Sequence, residues 1–98
     1  YMFDKLGQLK DLWKLKSQME EIKKRLDTMF IKVDSPRHLF EVTISGSQEV
    51  KEVRVDALVK NFTEAEIAED LKAVINKAVR DSQGMAAQAM GSLAAPQA

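Results

Sequence analysis

The sequence has no cysteine, a single histidine and only two prolines. Without cysteine there is no disulfide framework, no thiolate metal site and no cysteine nucleophile. One histidine, His38, cannot supply the two imidazoles of a common zinc site, so we predict neither a metal nor a cofactor. No apolar run approaches the roughly 20 residues of a membrane-spanning helix. The absences argue against a disulfide scaffold, a zinc module and a membrane protein.

The chain also lacks net charge, with 15 basic and 15 acidic residues, and is only 98 residues long. This length predicts one domain over residues 1–98. Because so short a chain buries only about 60–65% of its unfolded surface, it is a natural candidate for oligomerisation. We take Met2 as the native start, and the residues after it are not typical of a secretion signal. We therefore expect a cytoplasmic protein.

The first segment, from Phe3 to about Thr28, contains no proline and predicts one long helix. Its apolar residues form two stripes on nearly opposite sides. The first stripe has the 3-4 spacing of a helix that packs along a partner. Its members are Leu12, Leu15, Met19, Ile22, Leu26 and Met29. The second stripe, which we expect at a dimer interface rather than in a single crowded core, is Phe3, Leu6, Leu9 and Trp13.

Three short segments then show the period-two alternation of half-buried strands. The strands are predicted at residues 29–33, 39–45 and 50–55. The residues predicted on the inner face are Phe40, Val42, Ile44, Val53 and Val55. Short connections rich in Asp, Ser, Pro and Gly predict an antiparallel meander. Pairing across the outer face is expected among Lys32, Glu41, Glu52 and Arg54.

A second helix is predicted after the strands. Thr63 and Glu66 form a capping-box pattern at its start. Its apolar face comprises Ile67, Leu71, Val74, Ile75 and Ala78. Residues 82–98 carry no charge, and the sequence leaves open whether this tail continues the helix against a partner or frays near Gly84. The predicted fold is α+β, with the order α-β-β-β-α and a three-stranded antiparallel meander flanked by two long helices.

Three segments in a fixed order resemble a known family. Residues 40–46 read F-E-V-T-I-S-G, residues 53–56 read V-R-V-D, and residues 67–71 read I-A-E-D-L. The last segment is followed by Ala73, Asn76 and Ala78. These segments are similar to the V-x-V-T-I-N-G, V-x-I-D and L-E-D-L-x-x-A-x-N-x-A patterns of the bacterial YbaB/EbfC nucleoid-associated proteins. The resemblance extends over roughly residues 2–93.

The resemblance implies a homodimer in which sheet surfaces associate and paired long helices project like tweezers. It implies that the partner is double-stranded DNA, bound with low sequence specificity to organise the chromosome or regulate expression in the nucleoid. It implies no enzymatic step. One departure is the uncharged tail after Asp81, where family members often carry basic residues.

The distribution of charge indicates which element would bind DNA. Residues 1–30 carry seven basic and five acidic groups, whereas residues 62–98 carry three basic and five acidic groups. The first helix is thus the only basic element, and phosphate neutralisation supplies much of any DNA affinity. The candidate DNA-binding residues are Lys5, Lys10, Lys14, Lys16, Lys23, Lys24 and Arg25. The plain alternative is a solvated face in which Lys16–Glu20 and Glu20–Lys24 form ion pairs.

Other chemistry is sparse. His38 lies in a predicted turn without a neighbouring carboxylate in sequence, and the adjacent Glu69 and Asp70 point in different directions on a helix. We therefore predict no catalytic residue and no small-molecule substrate. The alternative function is a dimeric scaffold or adaptor that engages another protein through its projecting helices and apolar tail.

Overall fold

The computed structural model describes the backbone of residues 2–94 and the side chains of residues 11–91. The predicted α+β class and element order are confirmed, with element ends within one residue of the prediction where one was made. The elements are α1 (Met2–Asp27), β1 (Phe30–Asp34), β2 (Phe40–Ser45), β3 (Val50–Val55), a 3-10 turn (Ala57–Asn61) and α2 (Glu64–Ala94). α2 continues through Gly84, and residues 95–98 of the predicted tail lie outside the described residues.

The three strands form the predicted antiparallel meander in the order β1-β2-β3. α2 packs across the inner face of β1 and β2. Alternate residues of β2 point toward the helix, so Phe40, Val42 and Ile44 are buried as predicted. The buried core cluster comprises Val33, Leu39, Phe40, Val42, Ile44, Val74 and Ala78.

The inner face of β3 is left uncovered. Val55 lies opposite Phe40, and Val53 lies opposite Val42, so both valines are on the predicted face. They are nevertheless 57% and 50% exposed, because α2 packs mainly on the other two strands. An irregularity between Thr43 and Ile44 also brings Val50 opposite Ile44, which simple alternation does not predict.

α2 begins at the predicted capping box. The amide of Thr63 donates to Glu66 Oε1 at 3.1 Å, and the amide of Glu66 donates to Thr63 Oγ1 at 3.2 Å. The backbone and hydroxyl of Thr63 lower the pKa of Glu66 by stabilising its charged form. The carboxylate also lies near the positive end of the helix dipole.

A buried carboxylate joins α2 to the β1–β2 turn. Asp70 is 3% exposed, and its Oδ1 accepts a hydrogen bond from the amide of Arg37 at 2.9 Å. In the same turn, Ser35 Oγ accepts from the amides of Leu39 and Phe40, each at 3.0 Å. Burial alone would raise the pKa of Asp70, but the hydroxyl of Ser35 and the amides of Arg37 and Leu39 lower it. The turn is thus joined to the helix by a hydrogen bond to a charged group.

The outer face of the sheet shows part of the predicted pairing, since Glu41 lies directly opposite Arg54. Arg54 Nε donates to Glu52 Oε1 at 3.0 Å along the same strand. Lys32 forms no ion pair among the described residues. Lys32 lies on β1 opposite Thr43, so a threonine rather than a carboxylate is its cross-strand neighbour.

Candidate nucleic-acid interface

α1 projects from the sheet with almost no cover on its described side chains. Residues 11–25 are exposed except for the half-buried Ile22, and Leu26 is the first buried residue. The first half of the predicted stripe is uncovered, since Leu12, Leu15 and Met19 are 61%, 54% and 65% exposed. Its second half, Ile22, Leu26 and Met29, is half-buried or buried. The molecule is correspondingly elongated, measuring 70 × 29 × 18 Å. Contact with the rest of the protomer is concentrated in the last turn of the helix.

The basic side chains of this helix are all exposed where they are described. They are Lys14, Lys16, Lys23, Lys24 and Arg25. With a rise of 1.5 Å per residue, they extend over about 16 Å, the length of about five base pairs. Lys5 and Lys10, also predicted to contact DNA, lie outside the residues whose side chains are described. The helix therefore presents two groups of basic side chains to solvent, which are separated by the exposed Glu20 and Glu21.

The predicted ion pairs within α1 are not formed. The salt bridges among the described side chains are Arg37–Glu66, Lys51–Glu49 and Arg54–Glu52, all on other elements. Lys16 Nζ instead lies 5.4 Å from the centre of the Trp13 ring, within the range of a cation–π contact. With α1 fully extended into solvent, its long basic side chains stay hydrated rather than held against Glu20.

Trp13 is the one predicted interface residue whose side chain is described. It is 64% exposed and borders a shallow groove along α1 with Lys14, Ser17, Gln18 and Glu21. Phe3, Leu6 and Leu9 lie outside the residues whose side chains are described. Their predicted role at the interface stays a prediction.

The turn that connects β2 and β3 holds the last turn of α1. We call Ser45–Ser47 the junction. The amide of Gly46 donates to the carbonyls of Leu26 and Met29, at 3.0 and 2.9 Å. Ser47 Oγ donates to the carboxylate of Asp27. The junction thus determines where α1 leaves the sheet.

A second surface, which the sequence did not reveal, lies beside α2. The residues that we call the β3 patch are Val50, Val53, Val55 and Leu58, together with Ile75 and Val79 of α2. Each of the first five is about half exposed, and Val79 is 37% exposed. Ile75 and Val79 lie on the other side of α2 from Asp70. Val50, Val53 and Val55 share one face of β3, and an exposed apolar face of this kind is typical of an interaction site.

The described residues offer little for other chemistry. His38 is exposed in the β1–β2 turn, where it adopts a left-handed conformation with φ 57°. Within residues 2–94, no group of three or more histidine, aspartate or glutamate side chains is arranged to hold a metal ion. In the same range, neither helix combines the length and apolarity that crossing a bilayer requires.

The chain is similar to bacterial nucleoid-associated proteins over most of its length. It is 31% identical to a nucleoid-associated protein of Dictyoglomus thermophilum, covering 88% of this chain and 84% of that protein. It is 33% identical to one from Syntrophobacter fumaroxidans, covering 82% and 74%. Its fold is similar to the crystal structure of an uncharacterized protein from Helicobacter pylori, with a TM-score of 0.67, 12% identity, and coverage of 84% and 96%. Residues 2–97 match the model of the YbaB/EbfC DNA-binding family, and the chain belongs to that family.

Proposed function

We propose that this protein binds double-stranded DNA as a homodimer, with low sequence specificity, and acts in the nucleoid without an enzymatic step. The observation that carries the proposal is the exposed basic length of α1, which projects from the sheet and bears no ion pair among its described side chains. Lysine and arginine in such a position neutralise phosphates, and phosphate contacts are independent of sequence. Membership of a DNA-binding family supports the same conclusion.

The densest part of this surface is Lys23-Lys24-Arg25. Three consecutive helical positions point about 100° apart, so these side chains span about 200° of the helix surface. The remaining side carries Ile22 and Leu26, which are half-buried and buried. A duplex that contacts the exposed sides of α1 near its sheet end therefore meets at least one of the three. In a dimer the number of such groups doubles, and two arms can contact separate phosphates.

A salt series tests the DNA proposal. The affinity for a short duplex should fall linearly on a log–log plot against salt, with a slope of about −0.9 for each phosphate contacted. Replacing Lys23, Lys24 and Arg25 with glutamate should weaken binding at least ten-fold and make the slope shallower. The matched control replaces Lys72, Lys77 and Arg80, which are exposed on α2, and should bind nearly as the parent does. Failure of the parent protein to retain DNA at about 50 mM salt would refute the proposal.

The dimer is supported by the surface of a single protomer. Its accessible area is 7867 Å², whereas a compact protein of this mass exposes about 5,600 Å². Its radius of gyration is 19.7 Å, compared with about 13 Å for a compact chain of 100 residues. The difference in area is comparable with the surface that a stable protein interface buries. A second copy that covers the β3 patch accounts for part of this excess.

Substitution within the β3 patch tests the dimer. Val53→Glu places a charge among apolar side chains, and we expect light scattering to give a mass near 11.0 kDa at micromolar concentration, where the parent should give twice that mass. Arg54→Glu introduces the same residue one position along the strand, on the opposite face, and should leave the dimer intact. A parent protein that is monomeric at the same concentration would contradict the proposal.

One observation favours a second candidate function, that of an adaptor for another protein. Leu12, Leu15 and Met19 of α1 are each more than half exposed, and DNA offers no matching apolar surface along a phosphate backbone. An α-helical partner would cover them by packing along the stripe. In that case Leu15→Gln, which adds no charge, would abolish partner capture and leave the affinity for DNA unchanged.

A further inference from the structure

We propose that the junction, Ser45–Ser47, is a positioning element that sets the direction of α1 and thereby the placement of its basic side chains on DNA. Its effect on binding rests on the proposed DNA-binding function, whereas its effect on the direction of α1 does not. If the turn had only a structural role, a folded variant would keep the direction of α1. If the turn positions α1, a folded variant has α1 in a different direction.

Among its described residues, α1 is hydrogen-bonded to the junction at its sheet end and also contacts α2. Its side chains from 11 to 25 are exposed apart from the half-buried Ile22, so the helix is not held along its length. Leu26 is buried, and its carbonyl accepts from the amide of Gly46. The carboxylate of Asp27 and the carbonyl of Met29 are held by the same turn. A projecting helix that is held only at one end turns as a lever about that end.

The junction is itself tied to the rest of the protein. The carbonyl of Ser45 accepts from Ser82 Oγ of α2 at 2.7 Å, and both serines are fully buried. The amide of Ser45 donates to the carbonyl of Glu49 at 2.9 Å, and Ser45 Oγ accepts from the amide of Glu49 at 3.2 Å. The last turn of α1, the sheet and α2 therefore meet at three consecutive residues.

Gly46 is required here by close approach. A Cβ atom added at this position would lie 3.0 Å from Leu26 Cδ2, 3.2 Å from the Leu26 carbonyl oxygen and 3.3 Å from Leu26 Cβ. The side chain of Leu26 can rotate, but the carbonyl oxygen is part of the last turn of α1. An alanine at position 46 therefore pushes the end of the helix by a few tenths of an ångström.

The length of α1 amplifies that displacement. A shift of about 0.4 Å across one helical turn of about 5.4 Å tilts the axis by roughly 4°, and the far end, about 37 Å away, then moves by about 3 Å. In a dimer both arms move, so the distance between them changes by as much as twice this amount. The net charge and every basic residue remain the same.

The test measures the direction of α1 directly. Because the chain has no cysteine, cysteines introduced at two exposed positions are the sole sites that a spin label can modify. We choose Gln18 on α1 and Lys32 on β1. Labelled protein is diluted with unlabelled protein, so that distances within one protomer are recorded. Because Gln18 lies about 12 Å along the helix from Leu26, Gly46→Ala should shift the mean distance by about 1 Å. Ser47→Ala should broaden the distribution by removing the bond to Asp27.

Gly84→Ala is the matched control. It is the same substitution within α2, and no atom lies within 4 Å of the added Cβ. We expect its distance distribution and DNA affinity to equal those of the parent. Circular dichroism of each variant identifies the folded fraction, and Ser47→Ala keeps the test decisive if Gly46→Ala fails to fold.

DNA affinity is then measured for the same variants at fixed salt. Gly46→Ala should bind several-fold more weakly and with a shallower salt dependence, because fewer phosphates are contacted at once. A folded Gly46→Ala protein with an unchanged distance distribution would overturn the positioning role. A shifted distribution with unchanged affinity would overturn the link to binding. If the parent does not bind DNA, the proposed function fails, and the distance measurement alone decides the positioning role.

Discussion

Replacing Asp70 with asparagine tests how the β1–β2 turn is held against α2. The carboxylate is 3% exposed and accepts from the amide of Arg37 at 2.9 Å. Its pKa is lowered by hydrogen bonds that include the hydroxyl of Ser35, in spite of the opposing effect of burial. The charge therefore stabilises the folded protein at neutral pH.

The magnitude follows from the hydrogen bonds that change. A hydrogen bond to a charged group contributes about 1.5–3 kcal/mol, and a neutral one about 1 kcal/mol. Asp70→Asn keeps an acceptor but removes the charge, so we expect a loss of about 1.5 kcal/mol in the free energy of unfolding at pH 7. Asp70→Ala removes the acceptor of the Arg37 amide altogether and should lose up to about 3 kcal/mol.

The pH dependence provides an independent signature. Because the pKa of Asp70 is lower in the folded than in the unfolded state, its stabilisation is fully present above the unfolded value, about 3.9. It is lost as the pH falls from there through the folded value. The difference in stability between the parent and Asp70→Asn should therefore be constant from pH 7 to about pH 5 and should shrink below about pH 4.

Urea unfolding monitored by circular dichroism, at one protein concentration and a series of pH values, measures these differences. Asp81→Asn is the control, because Asp81 is exposed on the same helix, and a substitution at such a site should change stability by no more than about 0.5 kcal/mol. The reasoning is refuted if Asp70→Asn is as stable as the parent at pH 7, or if their difference does not change between pH 7 and pH 3.

Other predictions concern the capping box, the glycines and the tryptophan. Thr63→Ala should lower stability by about 1 kcal/mol, which corresponds to a fall of about 4–8 °C in Tm. Ser17→Ala on exposed α1 should not lower Tm, and an equal fall in both variants would contradict the reasoning. Gly84→Ala should raise Tm by a few degrees, since alanine favours the helix by about 0.5–1 kcal/mol and its Cβ meets no atom within 4 Å. Gly46→Ala should lower Tm, because its Cβ would lie 3.0 Å from Leu26 Cδ2. If Trp13 lies at the dimer interface, its fluorescence emission should shift to the red on dilution; an emission maximum that does not change across the dimer dissociation range would exclude Trp13 from the interface.

The sequence predicts most of the fold because its signals are local. Strand alternation, two short turns and the Thr63–Glu66 capping box each depend on neighbouring residues, and the structure confirms all of them. The exposure of individual side chains could not be predicted from such local signals. Periodicity shows that Val53 and Val55 share a face with Val42, but it does not show that α2 packs mainly on β1 and β2.

Some features of the candidate site can likewise be predicted from the sequence, and others cannot. The charge of α1 is visible in the sequence, because counting basic residues by segment requires no structure. The junction is not visible, because it depends on contacts between residues about 20 and 37 positions apart, such as Asp27–Ser47 and Ser45–Ser82. A glycine in a turn suggests backbone freedom, whereas Gly46 is needed for the space beside Leu26.

DNA binding and dimerisation are proposed for different parts of the molecule, so we expect dimerisation to be independent of DNA binding but not the reverse. The basic residues lie on α1, whereas the β3 patch lies on β3 and α2, so loss of Lys23, Lys24 and Arg25 should not affect dimerisation. Loss of the dimer, in contrast, should affect DNA binding. Two arms held in one dimer bind a duplex with a high effective concentration for the second contact, and a monomer loses this advantage although its α1 is unchanged. Val53→Glu should therefore weaken DNA binding by more than its single added charge explains, whereas reversal of charge on α1 should leave the dimer intact.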